Sequence, residues 1–392
     1  MGNLGAKAGI MLTKPHPAIF GGTYAGKTVL ITGHTGFKGS WLTLWLRRLG
    51  AKVVGYALEP PTNPSLFAMA GLAKDTTHVV GDVRDRDALT RVMREHEPDM
   101  IFHLAAQPLV RQSYREPAET YDINVMGTVN VLEAVRQTPS VRACIVVTSD
   151  KCYENREWDY AYRENDSMGG YDPYSSSKGC AELVTSAYRN SFFHPERHLE
   201  HGVALASVRA GNVIGGGDWA EDRIVPDCIR ALVAGEQIIV RNPSAIRPWQ
   251  HVLEPLSGYL WLGVKLLEDC ERYAEGWNFG PNGSSNVPVS AIVENILSHW
   301  GSGSWICPEP TQNQPHEARF LKLDTTKATN LLPWAPAYDL RATMTAVVEW
   351  YSACHRDPGF DATSFTLNQI MDYERKAASA GAAWAQVPCE VK

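Results

Sequence analysis

Short apolar runs alternate with amphipathic segments through the first half of the chain. Buried parallel strands consist of nearly continuous apolar residues, whereas helices repeat apolar residues every three or four positions. The apolar runs predict six strands, at residues 28–31, 52–56, 79–83, 100–104, 144–148 and 203–208. Strands that alternate with helices in this way indicate an α/β fold with a Rossmann-type, doubly wound and mostly parallel sheet.

The first predicted strand runs directly into a glycine-rich loop that opens the first helix. Glycines lie at positions 33, 36 and 39, and an apolar helical pattern follows as far as Gly50. In this context glycines allow a tight turn, and the positive end of the helix attracts a pyrophosphate. The loop is therefore interpreted as a dinucleotide site, with contacts predicted from Gly33, Thr35, Gly36, Phe37 and Lys38.

Further cofactor contacts are expected at the carboxyl ends of later strands, where ligands of open α/β sheets bind. Asp82 is placed to accept a hydrogen bond from an adenine amino group, although a solvated carboxylate fits the pattern equally well. The second strand ends at Ala57 instead of the usual ribose-binding acid, with only Glu59 nearby. Because no Arg or Lys follows to receive a 2′-phosphate, NAD is favoured over NADP. The other candidates at strand ends are Val83, Leu104, Ala105, Ala106 and Thr148.

The candidate catalytic residues centre on Tyr174 and Lys178. Positions four apart share a helix face, and an ammonium beside a phenol favours the phenolate and lowers its pKa. This is the only Y-x-x-x-K match in the chain, but so short a motif also arises by chance. The run Ser149-Asp150-Lys151 follows the fifth predicted strand and adds a hydroxyl, an acid and an amine at the same sheet edge.

The second half of the chain is more helical. About twenty polar residues, 152–173, precede the Tyr174 helix, a length typical of a lid or binding loop, and Asp172-Pro173 is expected to start that helix. Further on, the pattern predicts a short strand at 238–240 and helices at 256–267, 289–300 and 343–351. We expect a poorly ordered leader at 1–25, a dinucleotide-binding domain at 26–210, a lobe mainly for substrate at 211–356 with some segments returning to the first domain, and a tail without an assigned role at 357–392.

Composition and charge limit the kinds of molecule that this protein is expected to bind. Hydrophobic residues make up 44% and charged residues 20% of the 392, as in ordinary globular proteins. A formal net charge of −6 without a lysine-rich block disfavours nucleic acid and anionic membranes. No apolar run reaches the roughly 20 residues that span a bilayer. Eight cysteines without a C-x-x-C argue against a metal site and a disulfide framework, and favour a cytoplasmic setting.

Three longer runs are more specific than the glycine loop and the Tyr/Lys pair. They read SDKCYEN at 149–155, GNVIGGGDW at 211–219 and RPWQHV at 247–252. With these runs the chain resembles the extended short-chain dehydrogenase/reductase family from about residue 26 to residue 351. Within that family it is similar to the nucleotide-sugar 4,6-dehydratases, and most closely to the branch that acts on CDP-sugars.

The resemblance implies an NAD-dependent lyase that oxidises C4 of a CDP-sugar, eliminates water across C5 and C6, and regenerates its cofactor. Tyr174 would take the proton of the C4 hydroxyl, beside Ser149 and Lys178. Related dehydratases carry a glutamate where this chain has Lys151. The C5 base therefore stays open between Lys151 and Asp150, and Lys151 as a mere charge partner of Asp150 is a further alternative.

The resemblance also implies substrate contacts and a homodimer. Arg247 opens a predicted rigid turn, from which a guanidinium reaches two phosphate oxygens. Asn124 falls inside a helix predicted over 118–136, where the pattern alone favours a solvated or helix-bending side chain. The full set of implied substrate contacts is Gln107, Asn124, Asn212, Val213, Arg247 and Arg319.

Two other functions remain open at this point. One is a 4-epimerase, or a dehydratase of another nucleotide sugar, on the same scaffold. The other is a dinucleotide-binding regulator without catalytic activity, for which an intact Ser149, Tyr174 and Lys178 would have no purpose.

Overall fold

A computed structural model describes residues 19–309 and 320–386. Its strands lie between residues 28 and 306, and seven of them form a single sheet. In chain order the strands are β1 Thr28–Thr32, β2 Lys52–Ala57, β3 Thr77–Val80, β4 Met100–His103, β5 Ala143–Val147, β6 Ala204–Ala210, β7 Val213–Ile214, β8 Ile238–Ile239, β9 Ile246–Pro248, β10 Gln250–His251, β11 Gly276–Phe279, β12 Asn286–Pro288 and β13 Trp305–Ile306.

The main sheet is parallel throughout, with the strand order β11-β6-β5-β4-β1-β2-β3. Along β1, Val29 and Ile31 pack into one apolar cluster and Leu30 into a second cluster on the opposite face. Burial of both faces explains why these strands appear as continuous apolar runs in the sequence. The predicted doubly wound fold is confirmed, and the order of strands reverses between β1 and β4, where such folds bind ligands.

The helices cover both faces of the sheet and build the second lobe. In chain order they are α1 Phe37–Arg48, α2 Leu66–Met69, α3 Leu72–Asp75, α4 Arg86–His96, α5 Val110–Arg115, α6 Pro117–Tyr121, α7 Gly127–Arg136, α8 Pro173–Phe192, α9 His198–His201, α10 Ile224–Ala234, α11 Leu253–Glu268, α12 Cys270–Tyr273, α13 Val289–Trp300, α14 Thr326–Leu331, α15 Leu340–Arg356 and α16 Ala362–Ser379. A π-helical segment, Asp122–Met126, joins α6 to α7. The helix predicted over 118–136 is therefore present as an uninterrupted helical segment.

One segment of the second half returns to the main sheet, as the sequence allowed. Strand β11 pairs in parallel with β6, with Trp277 opposite Val208. The remaining strands of the second half form short ladders, in which β7 pairs with β10, β8 with β13 and β9 with β12. These ladders, with α10 and α13, form the smaller lobe that faces the carboxyl edge of the main sheet.

The expectation of a poorly ordered leader is wrong for residues 19–25, and the tail, which had no assigned role, packs on the body of the protein. Phe20, within the expected leader, is fully buried and stacks on Trp384 with ring centroids 4.9 Å apart. The tail contains the 18-residue helix α16, where Glu374 accepts hydrogen bonds from Trp45 and Arg48 of α1. Residues 19–25 and 362–386 therefore belong to the packed body of the protein.

Two predicted details also differ. The third strand ends at Val80 instead of residue 83, because Asp82 turns the chain by accepting a hydrogen bond from the Arg84 amide at 2.9 Å. Arg247 lies in strand β9, antiparallel to β12, and not in a rigid turn. Among the described residues, no helix combines the length and apolar character needed to cross a bilayer.

Candidate active site

A cavity of about 600 Å³ opens between the carboxyl edge of the main sheet and the smaller lobe. Its size is in the usual range for small-molecule sites. Ser149, Asp150 and Lys151 reach it from the end of β5, Tyr174 from α8, and Arg247 from β9. The structure thus brings the predicted catalytic run, the tyrosine and the predicted phosphate-binding arginine into one space.

The start of helix α8 fixes the position of Tyr174. Asp172 caps the helix by accepting a hydrogen bond from the Ser175 amide at 2.9 Å, and Pro173 occupies its first turn. A proline here costs nothing because the first helical amides have no partner within the helix. The predicted role of Asp172-Pro173 is confirmed, and it places Tyr174 on the turn that faces the cavity.

Burial is the largest influence on the pKa of Tyr174, so the predicted lowering of this pKa by Lys178 stays a prediction. Burial raises the pKa of Tyr174 to about 12, against the opposing effects of a hydrogen bond with Ser149 and the charge of Arg223. Lys178 is also buried, and its ammonium donates to the Val147 carbonyl at 3.3 Å. Burial lowers the pKa of Lys178 to about 8.

Asp150 is buried beside Ser149, whose hydroxyl donates to Oδ1 of Asp150 at 3.0 Å. Within the described part of the chain, Oδ2 of Asp150 has no hydrogen-bond partner. Residue 211 is glycine for a clear reason, since a Cβ there would lie 2.1 Å from this oxygen. Burial raises the pKa of Asp150, although Lys151 and Arg247 oppose the rise. A carboxyl group of this kind is suited to carry and donate a proton.

Lys151 lies in a short 3₁₀ turn, Asp150–Cys152. The Ser149 hydroxyl accepts a hydrogen bond from the Lys151 amide at 3.3 Å, which holds the turn at the end of β5. The Lys151 side chain is half-buried and lines the cavity. Its assignment as the C5 base stays a prediction, as does the binding role of the other candidates.

The glycine loop forms a cradle that fits a dinucleotide. Gly33 has φ +77°, and a Cβ on it would lie 2.7 Å from the Ala105 amide nitrogen, so the loop packs tightly against the end of β4. Gly36 caps helix α1 without any side-chain hydrogen bond. The first amides of this 12-residue helix therefore have no side-chain acceptor from the cap residue, which leaves them available to a pyrophosphate.

The other predicted cofactor residues surround this cradle. The Thr35 hydroxyl donates to the Leu58 carbonyl at 2.9 Å, and Thr148 lines the cavity while its hydroxyl also donates to the Val208 carbonyl. Asp82 is held by Arg84, which lowers the pKa of its carboxyl group. The remaining predicted contacts, half-buried apart from the buried Val83, are Phe37, Lys38, Val83, Leu104, Ala105 and Ala106.

The predicted substrate residues divide into three groups. Asn212, Val213 and Arg247 line the cavity. Gln107 and Asn124 are buried together, with the Gln107 amide donating to Oδ1 of Asn124 at 2.8 Å, and neither is among the residues that line the cavity. The sixth candidate, Arg319, lies outside the described residues.

Among the charged residues that line the cavity, the sequence reasoning did not identify Arg223 or Asp218 as site residues. Arg223 lines the cavity and donates to Asp218 at 2.8 Å, and its charge lowers the pKa of Tyr174. Lys38 was predicted only as a cofactor contact, but it also lines the cavity, where burial lowers its pKa to about 7. Asp218 stood inside the GNVIGGGDW run, whereas nothing in the sequence distinguishes Arg223 from other surface arginines.

Metal ligation finds no support in the described residues, which contain no cluster of three or more His, Cys, Asp or Glu side chains in suitable positions. The reactive groups that line the cavity are hydroxyl, carboxyl and amine groups. Lysine, tyrosine and aspartate side chains of this kind serve in proton transfer.

Comparison with known proteins identifies the family. A family model described as GDP-mannose 4,6 dehydratase matches residues 30–347. A CDP-glucose 4,6-dehydratase of Salmonella typhimurium is 53% identical over 351 residues, which cover 89% of this chain and 97% of that protein. The chain belongs to the GDP-mannose 4,6-dehydratase family. The predicted resemblance to extended short-chain dehydrogenase/reductases is confirmed.

Solved structures of more distant proteins share the fold of this GDP-mannose 4,6-dehydratase family member. An epimerase of Methanothermobacter thermautotrophicus superposes with a TM-score of 0.72 at 23% identity, over 86% of this chain and 96% of its own. A dTDP-glucose 4,6-dehydratase of Bacillus anthracis, solved in complex with NAD, gives a TM-score of 0.67 at 21% identity, over 83% of this chain and 97% of its own. At these identities the structures support the architecture only.

Proposed function

We propose that this protein converts CDP-glucose to CDP-4-keto-6-deoxyglucose and water with NAD as its cofactor. The observation that carries the proposal is the meeting of a phenol, a buried carboxyl group and an amine, Tyr174, Asp150 and Lys151, in one cavity. A net dehydrogenase requires only the tyrosine and its lysine. The CDP-sugar is supported by the 53% identity to a CDP-glucose 4,6-dehydratase.

Tyr174 takes the proton of the C4 hydroxyl. Its phenolate form is disfavoured by burial, but the hydrogen bond with Ser149 and the positive charge of Arg223 both lower its pKa and so favour that form. The Lys178 ammonium, one helical turn from Tyr174, is the third group that favours the phenolate. Ser149 holds the same sugar oxygen that Tyr174 deprotonates.

Asp150 and Lys151 act in the elimination. The C4 ketone makes the C5 hydrogen acidic, and Lys151 removes it as a base. Asp150 gives its proton to the C6 hydroxyl, which leaves as water. The raised pKa of Asp150 suits this donation because the carboxyl group retains its proton to higher pH than an exposed aspartate.

The glycine cradle and the smaller lobe hold the two ligands. Gly33 and Gly36 place the start of helix α1 against the cofactor pyrophosphate. When bound, NAD would supply the redox chemistry, as the carrier of the hydride that leaves C4 and later enters C6. Arg247 and Asn212, which line the opposite side of the cavity, bind the diphosphate of the CDP-sugar.

We also propose a homodimer that works in the cytoplasm. The helices 117–136 and α8 lie side by side and carry exposed apolar residues, among them Met126 at 47% and Leu183 at 60% exposure. Apolar side chains on adjacent helices are typical of a surface covered by a partner. A mass measurement by light scattering tests the dimer, and Leu183→Glu is expected to give monomers.

A panel of CDP-, dTDP-, UDP- and GDP-glucose, each incubated with the protein and NAD, tests the reaction. Turnover of CDP-glucose to a 4-keto-6-deoxy sugar, without accumulation of NADH, is the expected result. NADH that rises in proportion to product would indicate a net dehydrogenase, and turnover of another nucleotide sugar alone would refute the CDP assignment. Tyr174→Phe should abolish turnover and leave NAD binding intact.

A further inference from the structure

Glu182 is a buried carboxylate that the reaction described above does not use. It is 4% exposed and lies in helix α8. Its oxygens accept hydrogen bonds from the hydroxyls of Thr148 and Ser207 and from the Arg209 guanidinium. Buried charges are rare unless they are paired, and here both partners of the ion pair are almost fully enclosed, with side-chain exposures of 6% for Arg209 and 3% for Glu182.

The position of Glu182 relates it to the proposed catalytic residues. Tyr174, Lys178 and Glu182 follow one another at intervals of four, so they share one face of α8. Thr148, which donates to Glu182, directly precedes Ser149 in the chain. The carboxylate therefore contacts the end of β5 at the residue before the Ser149–Lys151 turn, and it stands one helical turn beyond Lys178.

Arg209 extends this contact to the polar loop over the cavity. Its guanidinium donates to the Tyr153 hydroxyl at 2.6 Å and to the Glu164 carbonyl at 3.0 Å. The Tyr153 hydroxyl in turn donates to Asn278 of β11 at 2.7 Å. The ion pair thus joins α8, β5, β6 and the base of the loop 153–172 through buried hydrogen bonds.

Lys178 interacts electrostatically with titratable groups from its own helix and from three other elements. Glu182 faces it from its own helix, Cys152 from the turn after β5, His103 from the end of β4, and Lys38 from α1. Burial lowers the pKa of His103 to about 3, so this side chain is neutral. Cys152 is neutral as well, because burial raises its pKa. Of these groups Glu182 is the one that is negatively charged, and it raises the pKa of Lys178.

We propose that Glu182, held by Arg209, is a positioning residue that keeps the Lys178 ammonium and the Ser149–Lys151 turn in register with Tyr174. This inference rests on the proposed dehydratase function. Glu182 is not among the residues that line the cavity, so it acts through Lys178 and Thr148. Because it raises the pKa of Lys178 against the effect of burial, its removal lowers that pKa and moves the loss of the ammonium to lower pH.

Glu182→Gln tests the proposal because it keeps the shape of the side chain and removes its charge. The alkaline limb of the kcat profile is expected to move to lower pH by about one unit, the usual size of a close charge effect. Glu182→Asp, which retains the charge, is expected to keep the wild-type limb. Glu182→Gln leaves the buried Arg209 without its charged partner, which could unfold the protein. The double variant Glu182→Gln/Arg209→Met removes both charges and should show the same shift of the alkaline limb.

Glu374→Gln is the matched control. Glu374 is also a buried partner of an arginine, with Nη2 of Arg48 2.8 Å from its Oε2, but it joins α1 to α16 and not the cavity. This variant should lose stability to a similar extent and keep the wild-type pH profile. A limb that stays in place in both Glu182 variants, or that moves equally in Glu374→Gln, overturns the proposal.

A second readout does not depend on turnover. Trace labelling of the cofactor-free protein with acetic anhydride, followed by peptide mass spectrometry across a pH series, reports the fraction of neutral Lys178. The labelling midpoint is expected to fall by about one pH unit in Glu182→Gln. If the wild-type protein fails to turn over CDP-glucose, the proposed function fails, whereas an unchanged midpoint refutes the role of Glu182 alone.

Discussion

Replacing Asp150 by Asn separates the two halves of the proposed reaction. The substitution preserves the size of the side chain, which matters because Gly211 leaves just enough room for it, but an amide cannot donate the proton that departing water requires. Removal of a general acid lowers the rate of its step by about 10²–10⁴-fold, which corresponds to about 2.7–5.4 kcal/mol of barrier. We expect product formation to fall by this factor while C4 oxidation and C5 deprotonation continue.

The assay compares two observables in deuterium oxide. Mass spectrometry measures the formation of the 4-keto-6-deoxy product and, separately, exchange of the C5 hydrogen in recovered CDP-glucose. Wild-type protein should form product rapidly, whereas Asp150→Asn should exchange C5 and release little product. Exchange that disappears together with product would place Asp150 at an earlier step, and product formation within about threefold of wild type would exclude it as the acid.

Stability provides a check on the same variant. The pKa of Asp150 is raised by burial, so above the ordinary carboxyl pKa the folded protein carries the cost of a buried charge. The Asp150→Asn substitution would remove that cost, and the variant should be at least as stable as wild type at pH 8. Asp218→Asn is the contrasting control. Asp218 lines the same cavity but is paired with Arg223, so its loss should lower stability and leave the ratio of exchange to product unchanged.

Three further predictions concern other parts of the molecule. Lys151→Met should abolish C5 exchange and product together, by about 10²-fold or more, and retained exchange would clear Lys151 as the base. Burial raises the pKa of Glu254 to about 7 from 4.5, so its contribution to stability should decline as pH rises from about 4.5 to about 7. The variant Glu254→Gln should make the urea midpoint less dependent on pH over this range. An unchanged dependence would contradict the prediction. Trp384→Ala, which removes a buried ring stacked on Phe20 and Tyr373, should cost about 3–5 kcal/mol in urea unfolding, and a loss below about 1 kcal/mol would show that the contact is not needed.

Much of the fold was predictable for two reasons. Its strands are buried on both faces, and some loop residues are types that occur mainly at helix starts or tight turns. The apolar runs place β1, β2, β4, β5 and β6 within a residue or two of their observed ends. Asp172-Pro173 marks the start of α8 because its cap and its proline each suit only a helix start. The catalytic run, Tyr174 and Arg247 were likewise predictable, since motif and sheet edge together bring them to one cavity.

Helix α16 was missed because polar residues occupy its buried face. Thr366, Gln369 and Glu374 are enclosed there, and their partners come from distant segments: Trp350 donates to Thr366, and Gln369 donates to the Ala346 carbonyl. These polar residues interrupt the apolar periodicity that Ala362, Ile370, Tyr373 and Ala377 would otherwise give the sequence. Strand β11 was missed for a related reason, since it has four residues and its buried Asn278 resembles a loop residue.

The electrostatic state of Tyr174 was not predictable either. Helical spacing places Lys178 one turn away, but only the folded structure reveals the burial that raises the pKa of the phenol. Glu182 did leave a signal in the sequence, a carboxylate four residues beyond Lys178 on the same helix face. Its significance depends on Arg209 and Thr148, which come from other strands.

Because Phe20 stacks on Trp384, this part of the fold can form only after most of the chain has been synthesised. Trp45, on the helix that begins at the glycine cradle, packs against both rings. A chain emerging from the ribosome therefore leaves that side of the cradle helix uncovered until Trp384 has been synthesised. A nonsense mutation after residue 360 would spare every proposed catalytic group and still deprive the nucleotide cradle of its support.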